Sequence, residues 1–288
     1  MSRNIYGNIV STSHPYWDYS EENDDCCVGL RYTSKVDVNS LKIKQASLRI
    51  FDFFSTFNQL CGLIMVILIG FFYGNIDGSY YWKDINSTTL TPDQERAYLN
   101  LHGLAVIVGL VFFHGEGLLI NRHYRHEPRL IFKVYQVIFN LVALACGGFA
   151  LAAFVVFSNK QTDYQYYSFQ FWLLLGVLAI YVIVSFVYLF VFTFPRLPKK
   201  YRQIIRPYVN AMNLITFVLA SVYSILSNAL YINKYVNKQS SNICQNDGDC
   251  VTNFEYVMNF GLVATVLYSI IVVVQVSKPS WSRKVKNI

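Results

Sequence analysis

The sequence predicts an all-α, polytopic membrane protein: a bundle of six transmembrane helices with polar ends. Three observations carry this reading. Of 288 residues, 54% are hydrophobic and only 14% are charged, against about 25% charged in an ordinary soluble domain. Six runs reach the length of about 20 apolar residues that a helix needs to cross a hydrocarbon core. They lie at about 53–73, 99–120, 134–157, 169–194, 209–231 and 254–276, and they leave no stretch for a large soluble domain. Finally, the basic residues are partitioned between alternate connections.

That partition sets the expected orientation. Nineteen of the 24 Lys and Arg residues fall in the N-terminal tail, the connections between spans 2 and 3 and between spans 4 and 5, and the C-terminal tail. The other three connections hold only Lys83, Arg96, Lys160, Lys234 and Lys238. Cytosolic connections carry the excess of Lys and Arg, so both termini are expected in the cytosol. The formal net charge of +7 then reflects topology. It does not point to nucleic acid, because the basic residues sit at membrane ends with no basic fold between them. The expected partition of the chain is a cytosolic, largely disordered tail over 1–50, a membrane domain over 51–277, and a basic cytosolic tail over 278–288.

The polar connections agree with this orientation. Asn86-Ser87-Thr88 is a glycosylation sequon in the first non-cytosolic connection. Cys244 and Cys250 lie in the last one and form a disulfide candidate, with two free thiols as the alternative. The first 40 residues lack the apolar core of a cleavable signal and contain the acidic run Glu21-Glu22-Asn23-Asp24-Asp25. Span 1 is therefore expected to insert first, with Leu41–Arg49 as a short interfacial lead-in helix. The membrane is expected to be the plasma membrane or an endomembrane of vesicle or lysosome type.

Ionisable residues inside spans are costly and are functional suspects. Span 2 holds His102, His114 and Glu116. At 100° per residue, Glu116 falls about 40° from the face of His102, and His114 about 120° from it. Each could equally be a buried group satisfied by a neighbouring helix. Gln136, Asn140 and Gln170 are candidate interhelical hydrogen-bond partners.

These residues resemble a family. Span 2 reads Asn100-Leu101-His102, then Gly109, Gly115-Glu116-Gly117 and a terminal Arg122. It is similar to the second span of the cytochrome b561 family, which has a His near the non-cytosolic surface, this glycine spacing and a closing Arg. Lys133 stands three residues before the position of the family's span-3 His. Tyr167-Ser168 and Trp172 resemble the start of its span 4, and Arg206-Pro207 the segment that introduces span 5. Lys278-Pro279-Ser280-Trp281 resembles its basic, Trp-containing end. The resemblance covers residues 53–284 and implies a six-span bundle of b561 type. It implies electron transfer from cytosolic ascorbate across the membrane to ferric iron or monodehydroascorbate, through two haem b groups.

The resemblance fails at those cofactors. The four family ligands fall on His102, Gln136, Gln170 and Val209, pairing His102 with Gln170 and Gln136 with Val209. Only His102 keeps an imidazole. A valine has no donor atom, and a glutamine amide is a poor axial ligand for haem iron. Haem is therefore expected to be absent, or at most one group weakly bound. No metal site is expected beyond His102. Phe169, Phe171, Tyr135 and Phe139 flank the lost ligands and are expected to fill the space. The family's ascorbate site resembles a cationic patch at Arg122, Arg129 and Lys133, where a small anion could bind.

Two functions of different class follow. One is a haem-deficient binding, regulatory or scaffold relative, with the lipid bilayer, a small anion such as ascorbate, and a second copy of the chain as candidate partners. The other is a working ascorbate-dependent oxidoreductase with non-standard haem ligation. A small-solute transporter, with His102 and Glu116 lining the cavity left by a missing haem, is the third reading. It lacks a visible inverted repeat or broken helix.

Overall fold

The computed structural model describes residues 38–75, 80, 92–123, 129–160, 169–193, 198–233 and 252–278. The chain divides into a short unit, Met1–Leu41, and a larger one, Lys42–Ile288, which holds the bundle. The glycosylation candidate Asn86, the pair Cys244 and Cys250, and the polar tails apart from residues 38–50 and Lys278 lie outside the described residues; 38–50, expected within a largely disordered tail, is helical.

Among the described residues the structure is all helical. The elements are α1 (Val38–Asn75), α2 (Pro92–Ala105), a π-helical segment (Val106–Phe113), α3 (His114–His123), α4 (Arg129–Lys160), α5 (Phe169–Tyr188) with a π-helical end (Leu189–Thr193), α6 (Lys199–Tyr231) and α7 (Thr252–Ser277). Six helical stretches are long and apolar enough to span a bilayer: Arg49–Asn75, Arg96–Ile120, Lys133–Ser158, Phe169–Val191, Ile204–Tyr231 and Tyr256–Ser277. The protein is an integral, multi-pass membrane protein. Two ends differ from expectation. The stretch 41–49 is no separate lead-in helix but the continuous start of α1. Likewise, Arg206-Pro207 does not precede the fifth helix; Pro207 lies inside α6.

Span 2, built from α2, the first π segment and α3, is the axis of the bundle. Of its apolar window 72% is buried, whereas span 1 buries 28%. Span 1 therefore lies at the periphery, with Phe53, Leu60, Ile67 and Phe71 exposed to lipid. One core cluster joins span 2 to α1, α6 and α7 through Met65, Ile69, Ile107, Phe217, Met258 and Tyr268. A second joins it to α4, α5 and α6 through Val106, Leu110, Ala143, Leu174, Tyr181 and Tyr223.

Lipid tails are as apolar as these side chains, so close packing and interhelical hydrogen bonds must hold the helices together. Glycine supplies the closest approach. A Cβ on Gly109 would lie 2.3 Å from Cys146 Cβ, and 3.3 Å from the Ala143 carbonyl oxygen. Buried polar pairs tie the layers. Tyr231 donates to Asn100 Oδ1 at 2.6 Å, and Tyr73 donates to Asn228.

The polar end of α7 is closed by span 2. Arg122 donates Nη1–H to the Lys278 carbonyl at 2.6 Å and Nη2–H to the Val276 carbonyl. The last carbonyls of a helix have no partner within it, and a cation there also meets the negative end of the helix dipole. Partial burial holds the Arg122 pKa below the usual guanidinium value. Arg122→Gln is expected to cost about 1–2 kcal/mol and to raise amide exchange in the last turn of α7 selectively. Unchanged exchange there would refute this capping role.

Candidate functional site

The π segment places the polar groups of span 2. Its i→i+5 bonds widen the turn, so residues advance less around the axis than in an α-helix. The 40° separation expected for His102 and Glu116 therefore does not hold. His102 faces α4 and α6; Glu116 faces α1 and α7. The two do not line one cavity, which removes the basis of the transporter reading.

His102 is 2% exposed. Its Nδ1 lies 2.9 Å from the Ala150 carbonyl oxygen, and its Nε2 lies 2.9 Å from Tyr223 Oη. A carbonyl can only accept, so Nδ1 carries the proton and Nε2 accepts from the Tyr223 hydroxyl. This tautomer suits a metal-binding imidazole, since a backbone bond at Nδ1 leaves Nε2 as the donor atom. Here Tyr223 takes that atom.

His102 and Gln170, the first expected pair, lie on the wall of the same cavity. It measures about 60 Å³ and is also lined by Tyr73, Phe154, Phe157 and Tyr231. Ligand pockets for drug-sized molecules run to about 300–1,000 Å³, so the cavity does not fit a porphyrin. Phe154 crowds it, with its ring centroid 5.1 Å from that of His102.

At the second expected pair, side chains fill the space. Gln136 is buried and accepts a hydrogen bond from the Tyr188 hydroxyl. The Tyr188 ring packs with Val184 and Val209 in a small apolar cluster. Neither position offers a nitrogen ligand, and Tyr188 occupies the space between them. The residues present here do not fit haem either.

The filling groups differ from those expected. Phe169 is 70% exposed, and Tyr135 is also exposed. Phe171 only backs the first cavity by stacking on Phe154, and Phe139 packs on Phe113. Tyr223 and Phe154 pack on His102 instead, and Tyr188 packs on Val209 and bonds Gln136. With 22 Tyr and 22 Phe in the chain, no local sequence signal singles these out.

His114 stands apart. It is 2% exposed, and neither ring nitrogen has a hydrogen-bond partner. Its ring lies 4.4 Å from that of Tyr181 and 5.7 Å from that of Phe217. The imidazole packs tilted against Tyr181 and edge-on to Phe217. Tyr181 in turn donates to Asn140 Oδ1 at 3.3 Å.

Glu116 is 7% exposed and joins three helices. Gln59 of α1 donates Nε2–H to its Oε2 at 2.5 Å, and Tyr268 Oη of α7 lies 3.1 Å from its Oε1. Gln59 and Tyr268 were not singled out from the sequence. Any carboxyl in a span must find partners, but the sequence does not say on which helix.

The candidate anion patch is reduced. The two N–H groups of Arg122 described above are already engaged by α7, and the Arg129 side chain lies outside the described residues. Lys133 is half-buried at the start of the third span. Among the described residues no group of three or more His, Cys, Asp or Glu could hold a metal.

Six spans packed around a buried, polar second span define an integral membrane protein of the six-helix-bundle class. Residues 101–231 match the family model for eukaryotic cytochrome b561. The match covers 131 of the 288 residues, and over that stretch the chain is similar to the cytochrome b561 family. It is similar to a putative transmembrane ascorbate-dependent reductase CYB561 homolog of Caenorhabditis elegans, 24% identical over 249 residues, covering 83% of this chain and 87% of the relative. It is 28% identical over 155 residues to the transmembrane ascorbate-dependent reductase CYB561 of Bos taurus, covering 54% of this chain and 57% of that one. It is 22% identical over 184 residues to a probable ascorbate-specific transmembrane electron transporter 1 of Oryza sativa subsp. japonica, covering 63% and 74%. The chain thus spans little more than half the length of the bovine relative.

Proposed function

We propose that this chain is a haem-deficient b561-type bundle that acts as a non-redox binding, regulatory or scaffold protein, with the basic face in the cytosol. The observation that carries this is the second ligand pair. Gln136 accepts from Tyr188, and Val209 packs on the same ring. A site filled by a buried tyrosine cannot hold a porphyrin without losing both that packing and that hydrogen bond. Electron transfer across a hydrocarbon core of about 30 Å needs redox centres in series, and one imidazole at the four expected ligand positions does not supply them.

The alternative is an ascorbate-dependent transmembrane reductase, as the relatives are named. One observation favours it. His102 already holds the tautomer that a haem ligand needs, with Nδ1–H fixed on Ala150.

An absorption spectrum of the purified, full-length protein separates the two. The expected result is no Soret band and a haem content near zero. A Soret band with reduced b-type α-bands overturns the proposal. In that case His102→Ala and His114→Ala identify the ligand, since these are the two imidazoles within the spans.

A further inference from the structure

The cavity beside His102 is too small for a porphyrin, yet it is not filled. It measures about 60 Å³, and a water-sized group needs about 10–15 Å³. There is room for a molecule of about four non-hydrogen atoms. The cavity lies at one end of the bundle. Gln170 is the second residue of α5, and Leu230 and Tyr231 are the last two of α6. Leu230 is exposed, Gln170 and Ser227 are half-buried, and His102 is buried. The lining thus runs from the surface of the bundle at Leu230 to the interior at His102.

The polar groups of the wall divide into those already engaged and those left open. His102 has both nitrogens occupied, one by the Ala150 carbonyl and one by the Tyr223 hydroxyl. Tyr73 and Tyr231 have given their only protons to Asn228 and Asn100. Gln170 and Ser227 are different. Both line the cavity, and no protein hydrogen bond among the described residues engages either side chain. The open carboxamide offers two N–H donors and a carbonyl acceptor, and the hydroxyl offers a donor and an acceptor.

Charge and shape narrow the ligand further. None of the residues lining the cavity is charged, so an ion there would lose its hydration with no counter-charge in return. That excludes a carboxylate, an ascorbate anion or a bare cation. The rings of Phe154 and Phe157 and the side chain of Leu99 make part of the wall apolar. The matching solute is small and uncharged, carries a donor beside an acceptor, and has an apolar end. A primary amide meets all four demands. It pairs with another carboxamide through two antiparallel N–H···O bonds, which use the donor and the acceptor of Gln170 together.

We propose that this cavity is a binding site for a small uncharged carboxamide of the acetamide or urea class, paired amide to amide with Gln170 and hydrogen-bonded to Ser227. The inference rests on the reading of the bundle as haem-free, because a porphyrin on His102 would claim the same space.

The test is saturation-transfer difference NMR of the full chain in lipid nanodiscs, with empty nanodiscs as background. The probe is acetamide at millimolar concentration, and acetate is its charged counterpart of the same shape. Wild type is expected to transfer saturation to the acetamide methyl group and not to acetate. Gln170→Leu should lower the acetamide signal severalfold. Ser227→Val should lower it in the same direction, and it serves where Gln170→Leu does not accumulate. The proposal is overturned if acetamide gives no signal above empty nanodiscs, if acetate gives an equal one, or if the variants match wild type. An absorption spectrum of the same sample keeps the two readings apart. Without a Soret band, a missing acetamide signal overturns this site alone and leaves the haem-free reading standing. With a Soret band the haem-free reading falls, and the site falls with it only if the acetamide signal is also absent.

Discussion

Gly109→Val is expected to cost the folded bundle about 3 kcal/mol, near the upper end of overpacking penalties. The first added carbon already lies 2.3 Å from Cys146 Cβ. Its next obstacle is the Ala143 carbonyl, which is backbone and cannot rotate away. Spans 2 and 3 must separate, and separation forfeits contacts along the helix pair that the second core cluster is built on. Gly148 and Gly176 provide the control. A Cβ at either meets nothing within 4 Å, and both residues are exposed on lipid-facing positions. Gly148→Ala and Gly176→Ala should leave the melting temperature in detergent unchanged or slightly raised. Melting of Gly109→Val at the wild-type temperature would show that the helices are not held by this contact.

The second large effect is gain of haem. Gln170→His combined with Phe154→Ala is expected to bind up to one haem per chain, while wild type binds none. The substitution places a second imidazole opposite His102 across their shared cavity. The structure adds a condition that ligand identity alone would miss, because about 60 Å³ does not admit a porphyrin. Phe154 is the ring nearest His102, and its truncation opens the space while Nε2 exchanges Tyr223 for iron. Gln170→His alone should therefore gain far less. Gln136→His with Val209→His should gain nothing, since Tyr188 remains between them. Haem stoichiometry and the reduced-minus-oxidised spectrum are the readouts. Equal haem in wild type and in the double variant would show ligation by other residues, and the proposed function would fall with it.

Under the proposed function, the loss of ligands and the packing at their positions are one physical event. A buried polar group must be satisfied, and a void forfeits dispersion contacts. Tyr223 on His102 and Tyr188 on Gln136 meet both demands, because a tyrosine carries a large apolar ring and one hydrogen-bonding tip. Arg122, one member of the expected anion patch, is engaged by the carbonyls of α7.

The sequence by itself determined the fold class. Hydrocarbon requires internally satisfied backbone, so six apolar runs could only be six helices. It also determined that Gln136, Gln170 and Val209, which the resemblance puts at haem-ligand positions, carry no imidazole, because residue type decides which atoms can donate to a metal. Tertiary structure decided everything that depends on which residues meet across the chain. The π segment rotated Glu116 away from His102, and no fixed angular step along the sequence could foresee that. Tyr188 and Tyr223 were chosen over the nearer Phe169 and Tyr135 because side-chain direction, rather than sequence distance from a lost ligand, settles what fills a space. Gln59 and Tyr268 found Glu116 across separations of 57 and 152 residues, since a polar group in a membrane takes its partner from whichever helix stands beside it.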